Sequence, residues 1–159
     1  KAPAAICRKV AKLPDVGGGI EVWGDGEQTR SFLYIDECIE ASRRLMDSDF
    51  IGPVNIGSEE MVTINELVRI TAKVAQKSIG RKHIDGPLGV RGRNSNNDLI
   101  REKLDWDYTM TLEEGIRKTY EWINLQVCKE KISPIPGVDI SSYGYGGLIP
   151  EEPSITPYR

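Results

Sequence analysis

Few residues in this sequence are equipped for bond-making chemistry. His83 is the only histidine, and one imidazole alone supports neither a nucleophile–base–acid triad nor a metal site. Cys7, Cys38 and Cys128 are far apart and free of CxxC or Cys/His spacing. That argues against a zinc site and a disulfide framework, and it points to a reducing, cytoplasmic compartment. The acid pairs Glu59-Glu60 and Glu113-Glu114 read as solvated or helix-capping carboxylates. Dinucleotide chemistry would need a buried strand, a G-x-G-x-x-G turn and a helix, in that order. Gly17-Gly18-Gly19 instead follows a polar stretch and precedes a strand, so it reads as a flexible connection. No tyrosine is followed four residues later by lysine. Trp23, Trp106 and Trp122 read as core residues rather than base-stacking platforms. With 21 Lys and Arg against 24 Asp and Glu, the net charge of −3 gives no general pull toward nucleic acid or an acidic membrane, so any anion site must be local.

The elements that would position such a site follow from period and punctuation. Pro3 suits a first helical turn, and helix formers run from there to Lys12 before Pro14. Ile20 to Trp23 alternates with period two, Asp25-Gly26 offers turn chemistry, and Ser31 to Ile35 reads as a second strand, which together predict a hairpin. Asp36 is placed to cap a helix carrying Cys38, Ala41, Leu45 and Met46, and Pro53 to Ile56 reads as a short strand. Thr63-Ile64-Asn65-Glu66 and Thr111-Leu112-Glu113-Glu114 are capping boxes, in which hydroxyl and carboxylate satisfy each other's backbone donors. Behind them lie the apolar faces Ile64, Leu67, Val68, Val74 and Leu112, Ile116, Thr119, Ile123, Val127.

The 159 residues, 39% hydrophobic and 28% charged, suit one globular domain able to bury a core. From Ser133 onward five of the nine prolines gather and apolar periodicity fades, so the chain divides into an α/β unit over 1–130 and a Pro/Gly-rich tail over 131–159. There is too little strand for an independent doubly wound domain, and no apolar run approaches the roughly 18 residues of a membrane span. The opening on Lys1-Ala2-Pro3 reads as the middle of a longer protein.

Trp23-Gly24-Asp25-Gly26-Glu27-Gln28-Thr29-Arg30-Ser31-Phe32, followed by Tyr34-Ile35-Asp36-Glu37, resembles the second-half signature of extended short-chain dehydrogenase/reductases acting on nucleotide sugars. Val54 to Ser58 before Thr63 to Leu67, Lys103 to Trp106, and Leu112 to Ile123 resemble the same family in the same order. The openings Lys1 to Lys9 and Gly89 to Asn97 look most like the branch that inverts GDP-mannose at C3 and C5 through a transient C4 ketone. The resemblance implies an α/β fold, the C-terminal substrate-binding part of such an enzyme, lacking most of the Rossmann domain. It implies a homodimer at full length, with NAD and the Tyr, Lys and Cys of the chemistry held before Lys1.

The same resemblance gives roles to particular residues. Lys1 matches the proton-donating lysine, Lys9, Arg30 and Arg93 match positions that hold the diphosphate, and Ala2, Gln28 and Thr29 match further substrate contacts. On composition alone Lys1 is a solvated lysine and each arginine a surface charge. Arginine nonetheless suits diphosphate, because its planar fork donates paired hydrogen bonds and stays charged. Two alternatives stand beside this one: another nucleotide-sugar 4-epimerase, dehydratase or decarboxylase of the superfamily, and a non-catalytic nucleotide-sugar-binding or dimerisation module. On the first reading, apolar surface should lie exposed where the missing half would pack.

Overall fold

Helix α1 (Ala2–Lys12) begins beside Pro3 and ends before Pro14, and it buries Ile6, Cys7, Val10 and Ala11 on one face. The computed structural model describes residues 2–87 and 89–132. The tail over 133–159 and Lys1 lie outside the described residues. Strand β1 (Val16–Trp23) follows, with Ile20 and Val22 turned inward and Glu21 and Trp23 outward, as period two requires. The glycines read as a flexible connection belong to this strand. Gly17 and Gly18 take positive φ values of 79° and 87°, and a Cβ on Gly19 would come within 3.1 Å of the Gly80 carbonyl oxygen opposite. They allow close approach between two strands rather than slack.

The expected hairpin does not form. β1 pairs in parallel with β4 (Ser78–Ile84), Gly19 opposite Gly80 and Trp23 opposite Ile84. The second strand, β2 (Thr29–Ser31), belongs to another sheet, between β3 (Met61–Thr63), which runs antiparallel to it, and β5 (Gly92–Arg93), which runs parallel. Ile35, expected at a strand end, instead starts helix α2 (Ile35–Met46). Tyr34 rather than Asp36 occupies its N-cap, without a side-chain cap, and Asp36 and Glu37 sit in the first turn, where negative charge suits the helix dipole. Pro53 to Ile56 forms no strand; Val54 and Ile56 pack instead on a small cluster of Ala41, Ile100 and Trp106. Ile100 belongs to α4 (Asp98–Leu104).

Helices α3 (Ile64–Val74) and α5 (Leu112–Ile132) start where the capping boxes predict. At α5 the box closes both ways: the Thr111 N–H donates to Glu114 Oε2 at 2.8 Å, and the Glu114 N–H to Thr111 Oγ1 at 3.4 Å. At α3 only half forms. Glu66 N–H donates to Thr63 Oγ1 at 3.0 Å, but the Glu66 carboxylate turns to Arg69, a bidentate partner one turn along. The main core packs α1, α3 and α5 on the inner face of β1, through Val10, Leu67, Val68, Ile116, Tyr120, Ile123 and Val127 among others. Of the tryptophans only Trp106 is core; Trp23 is 54% and Trp122 65% exposed. Apolar side chains do stand in solvent, Ile35 and Ile39 on one flank of α2 and Ile51 beyond it.

The remaining polar framework ties these layers. Glu60 is no idle surface acid, since its carboxylate accepts from the Leu112 N–H at 2.8 Å and so caps α5 from a distance. Glu37 of α2 accepts from the Thr109 and Met110 N–H groups at 2.6 and 2.9 Å. Arg101 joins Glu59 at 2.6 Å and Asp107 at 2.8 Å, which holds both carboxyl groups below the usual carboxylate range. Asn97, fully buried, donates to the Gly57 carbonyl at 2.7 Å and accepts from Ser95 at 2.7 Å, fixing the loop that leads from β5 into α4.

Candidate functional site

Arg30 lies at the middle of β2 and Arg93 at the end of β5, and the ladder makes them direct partners. In-register partners of parallel strands present their side chains to the same face, so the two cations face the same way, as Thr29 and Gly92 do on the other. A Cβ on Gly92 would sit 3.0 Å from Thr29 Oγ1, so glycine here lets β5 close up against the threonine. Like charges on directly opposed positions repel and destabilise a sheet unless an anion lies between them. The ladder thus places two guanidinium-bearing residues side by side on one face of this small sheet.

The Arg30 guanidinium is partly held. Nη1 donates to its neighbour's carbonyl, Thr29 O, at 2.6 Å, and Nη2 donates to Val90 O at 2.6 Å. A guanidinium carries five N–H donors, so three remain beyond these two contacts, which fix the direction of the group. Arg93 is exposed, on a backbone locked to β2. Beside them, Gln28 Nε2 donates to Trp23 O at 3.3 Å, while Gln28 Oε1 is buried without a hydrogen-bond partner among the described residues. Such an orphan acceptor costs about 1–3 kcal/mol unless a ligand or water donates to it.

The other expected site residues lie apart from this pair. Lys9, in the last turn of α1, donates to the Glu21 carbonyl of β1 at 3.2 Å, so it attends the other sheet. Ala2 opens α1 and packs against the main core, leaving its backbone as the part able to meet a ligand. Lys1 falls outside the described residues. His83, without a role by sequence, hydrogen-bonds Asn65 Oδ1 at 3.0 Å.

That asparagine is one of three residues near the site, with Asp25 and Arg91, to which sequence reasoning assigned no site role. Asn65 Nδ2 donates to Asp25 O at 2.8 Å and to Glu27 Oε1 at 2.6 Å, and its N–H to Gly26 O at 3.0 Å. Arg91 Nη1 reaches both Asp25 oxygens, at 3.1 and 2.8 Å. The Glu27 N–H first, and then Arg91, hold the Asp25 carboxyl below its ordinary value. Only the Asx-turn propensity of Asp25 hinted at any of this.

Residues 1–57 match the model of the NAD dependent epimerase/dehydratase family. The chain is 52% identical over 149 residues to GDP-mannose 3,5-epimerase 1 of Oryza sativa subsp. indica and 54% identical over 149 residues to GDP-mannose 3,5-epimerase of Arabidopsis thaliana. Its match to those two relatives takes in 94% of its own length but 38% of theirs. Among solved structures it is similar to UDP-glucose 4-epimerase of Thermotoga maritima, with a TM-score of 0.73 and 23% identity over 80% of this chain and 40% of that one. It is also similar to UDP-N-acetylglucosamine 4-epimerase of Methanobrevibacter ruminantium M1, with a TM-score of 0.68 and 26% identity over 79% and 39%.

The fold is that of part of an extended short-chain dehydrogenase/reductase, as the sequence implied. The family's cofactor does not fit the residues described. β1, the one strand that carries consecutive glycines, runs into the Asp25-Gly26 turn and on to β2 rather than into a helix N-terminus. A pyrophosphate would find no helix end behind such a turn. Among the described residues no helix is long and apolar enough to cross a membrane.

Proposed function

We propose that this chain is the substrate-binding half of an enzyme that inverts GDP-mannose at C3 and C5 through a transient C4 ketone, and that Arg30 and Arg93 hold the diphosphate. The observation that carries the reading is their partnership in the β2–β5 ladder, two cations on one face where a diphosphate would relieve the repulsion. Similarity to two GDP-mannose 3,5-epimerases supports the choice of nucleotide sugar. Gln28 completes the cradle, and Thr29, whose side chain lies on the other face of the ladder, meets the remainder of the ligand with Lys9 and the Ala2 backbone.

A ketone at C4 acidifies the neighbouring C–H bonds at C3 and C5, and inversion then needs a base on one face and an acid on the other. Lys1 serves as that acid. In the sequence it directly precedes Ala2, the first residue of α1. NAD, which the family uses for oxidation and reduction at C4, belongs to a segment preceding Lys1 in the full-length enzyme. That enzyme is a cytoplasmic homodimer.

The test is replacement of Arg30 or Arg93 by alanine in the full-length enzyme. Each loses a charge-assisted contact of about 1.5–3 kcal/mol, so GDP-mannose affinity falls roughly 10- to 100-fold while Tm changes little. Lower Tm with unchanged affinity would make these arginines structural and remove the basis of the reading.

A further inference from the structure

We propose that the Asp25–Arg91 ion pair, seated on Asn65, is a positioning device that sets the separation and aim of Arg30 and Arg93, tuning nucleotide-sugar affinity without touching the ligand. The inference rests on the diphosphate reading above. Four consecutive residues, 90–93, converge on β2. The Val90 carbonyl accepts from the Arg30 guanidinium at 2.6 Å. The Arg91 carbonyl accepts from the Thr29 N–H at 2.9 Å. The Arg91 side chain grips Asp25, and Arg93 is the ladder partner of Arg30. Gly89, just before this segment, has a φ of +61° and open space around it, so the backbone on that side is not wedged by packing. The side-chain anchor of the segment is the Asp25 carboxylate.

Asp25 in turn is held by something rigid. Asn65 grips the Asp25 and Gly26 carbonyls from the first turn of α3, and α3 is fixed in the core by Leu67 and Val68, which are 0% and 1% exposed. Gly26, at a φ of +71°, leaves no room for a Cβ, because the Asn65 amide lies against it. The mechanical path therefore runs from the core through α3 and Asn65 to Asp25, then through Arg91 to the segment that carries one arginine and aims the other. Side-chain exposures of 64% for Arg91 and 51% for Asp25 mean that the pair adds little to global stability. Its loss should thus appear in ligand binding and not in melting.

The experiment compares Asp25→Asn, Arg91→Gln, Arg91→Lys and the double variant Asp25→Asn/Arg91→Gln in the full-length enzyme, with GDP-mannose as the probe and Arg30→Ala as a reference. Each neutralising single variant should raise KM about 5- to 20-fold, with kcat within about twofold and Tm within about 2 °C. Arg91→Lys should recover part of the loss. The double variant should be no worse than either single, because both break one contact. Unchanged KM in the singles, effects that multiply in the double, or a fall in Tm without a change in KM would each overturn the proposal. If Arg30→Ala raises KM and the ion-pair variants do not, the diphosphate reading stands and only the positioning role fails. If Arg30→Ala also leaves KM unchanged, both fall.

Discussion

Replacing Gly26 by alanine should cost far more than replacing Gly17, although both glycines have positive φ. The two backbones are similarly strained for an L-residue, at +71° and +79°, and moving alanine into that region costs about 1–2 kcal/mol at either place. At Gly17 nothing lies within 4 Å of the new Cβ. At Gly26 the Cβ displaces the Asn65 amide, which binds Asp25 O, Glu27 Oε1 and His83. These are exposed hydrogen bonds of about 0.5–1.5 kcal/mol each, so losing most of them adds roughly 1–3 kcal/mol. At roughly 2–4 °C per kcal/mol for a chain of this size, Gly17→Ala should lower Tm by roughly 3–6 °C and Gly26→Ala by roughly 7–14 °C. Differential scanning calorimetry on the 159-residue chain reads both. The cause is checked by repeating Gly26→Ala in an Asn65→Ala background, where only the conformational part should remain. Equal Tm losses for the two glycines, or full additivity with Asn65→Ala, would show that Asn65 does not clamp the turn.

Two further outcomes follow from the same contacts. Burial pushes the Cys7 thiol up to about 11, from an ordinary value near 9, the Thr71 hydroxyl opposing only in part. A raised thiol pKa favours the unfolded chain once its own thiol ionises, so stability should hold below about pH 9 and fall by ~2–3 kcal/mol between pH 9 and 11. Urea unfolding across that range checks it, and a flat profile would contradict it; exposed Cys128 should alkylate well before Cys7. In the full-length enzyme Lys1→Met keeps a similar side-chain volume, removes the transferable proton and should slow epimerisation about 10²–10⁴-fold. Oxidation at C4 should survive, and chromatography of products with solvent deuterium exchange at C3 and C5 separates the steps. Normal exchange would return Lys1 to the role of a surface residue.

Helices were legible in this sequence where apolar period and end chemistry agreed. α1 carries Pro3 in its first turn and ends before Pro14, and α5 lies behind a box that closes in both directions. The Ile20–Trp23 part of β1 was legible from its alternation, but β2, β3 and β5 were not, because they are two or three residues long and show no period of their own. The predicted hairpin failed for a related reason: the partner of β1 lies across the intervening α2 and α3, and the Gly19–Gly80 approach that permits it is a tertiary fact. α4 was hidden because its start merges with a run of turn-forming Asn and Ser residues. Trp23 and Trp122 were misread from size alone. At the site, Arg30 and Arg93 could be named by resemblance, but not their adjacency, which exists only through the β2–β5 ladder. Asp25 and Arg91, 66 residues apart, offer no local pattern that pairs them.

The most direct measurement is an ¹⁵N–¹H correlation titration of the protein with GDP-mannose, with mannose as the control that lacks a diphosphate. The account predicts saturable shifts at the Gln28, Thr29, Arg30, Gly92 and Arg93 amides, lost in Arg30→Ala/Arg93→Ala and absent with mannose. Saturation by GDP-mannose that leaves the β2 and β5 amides unmoved would contradict it.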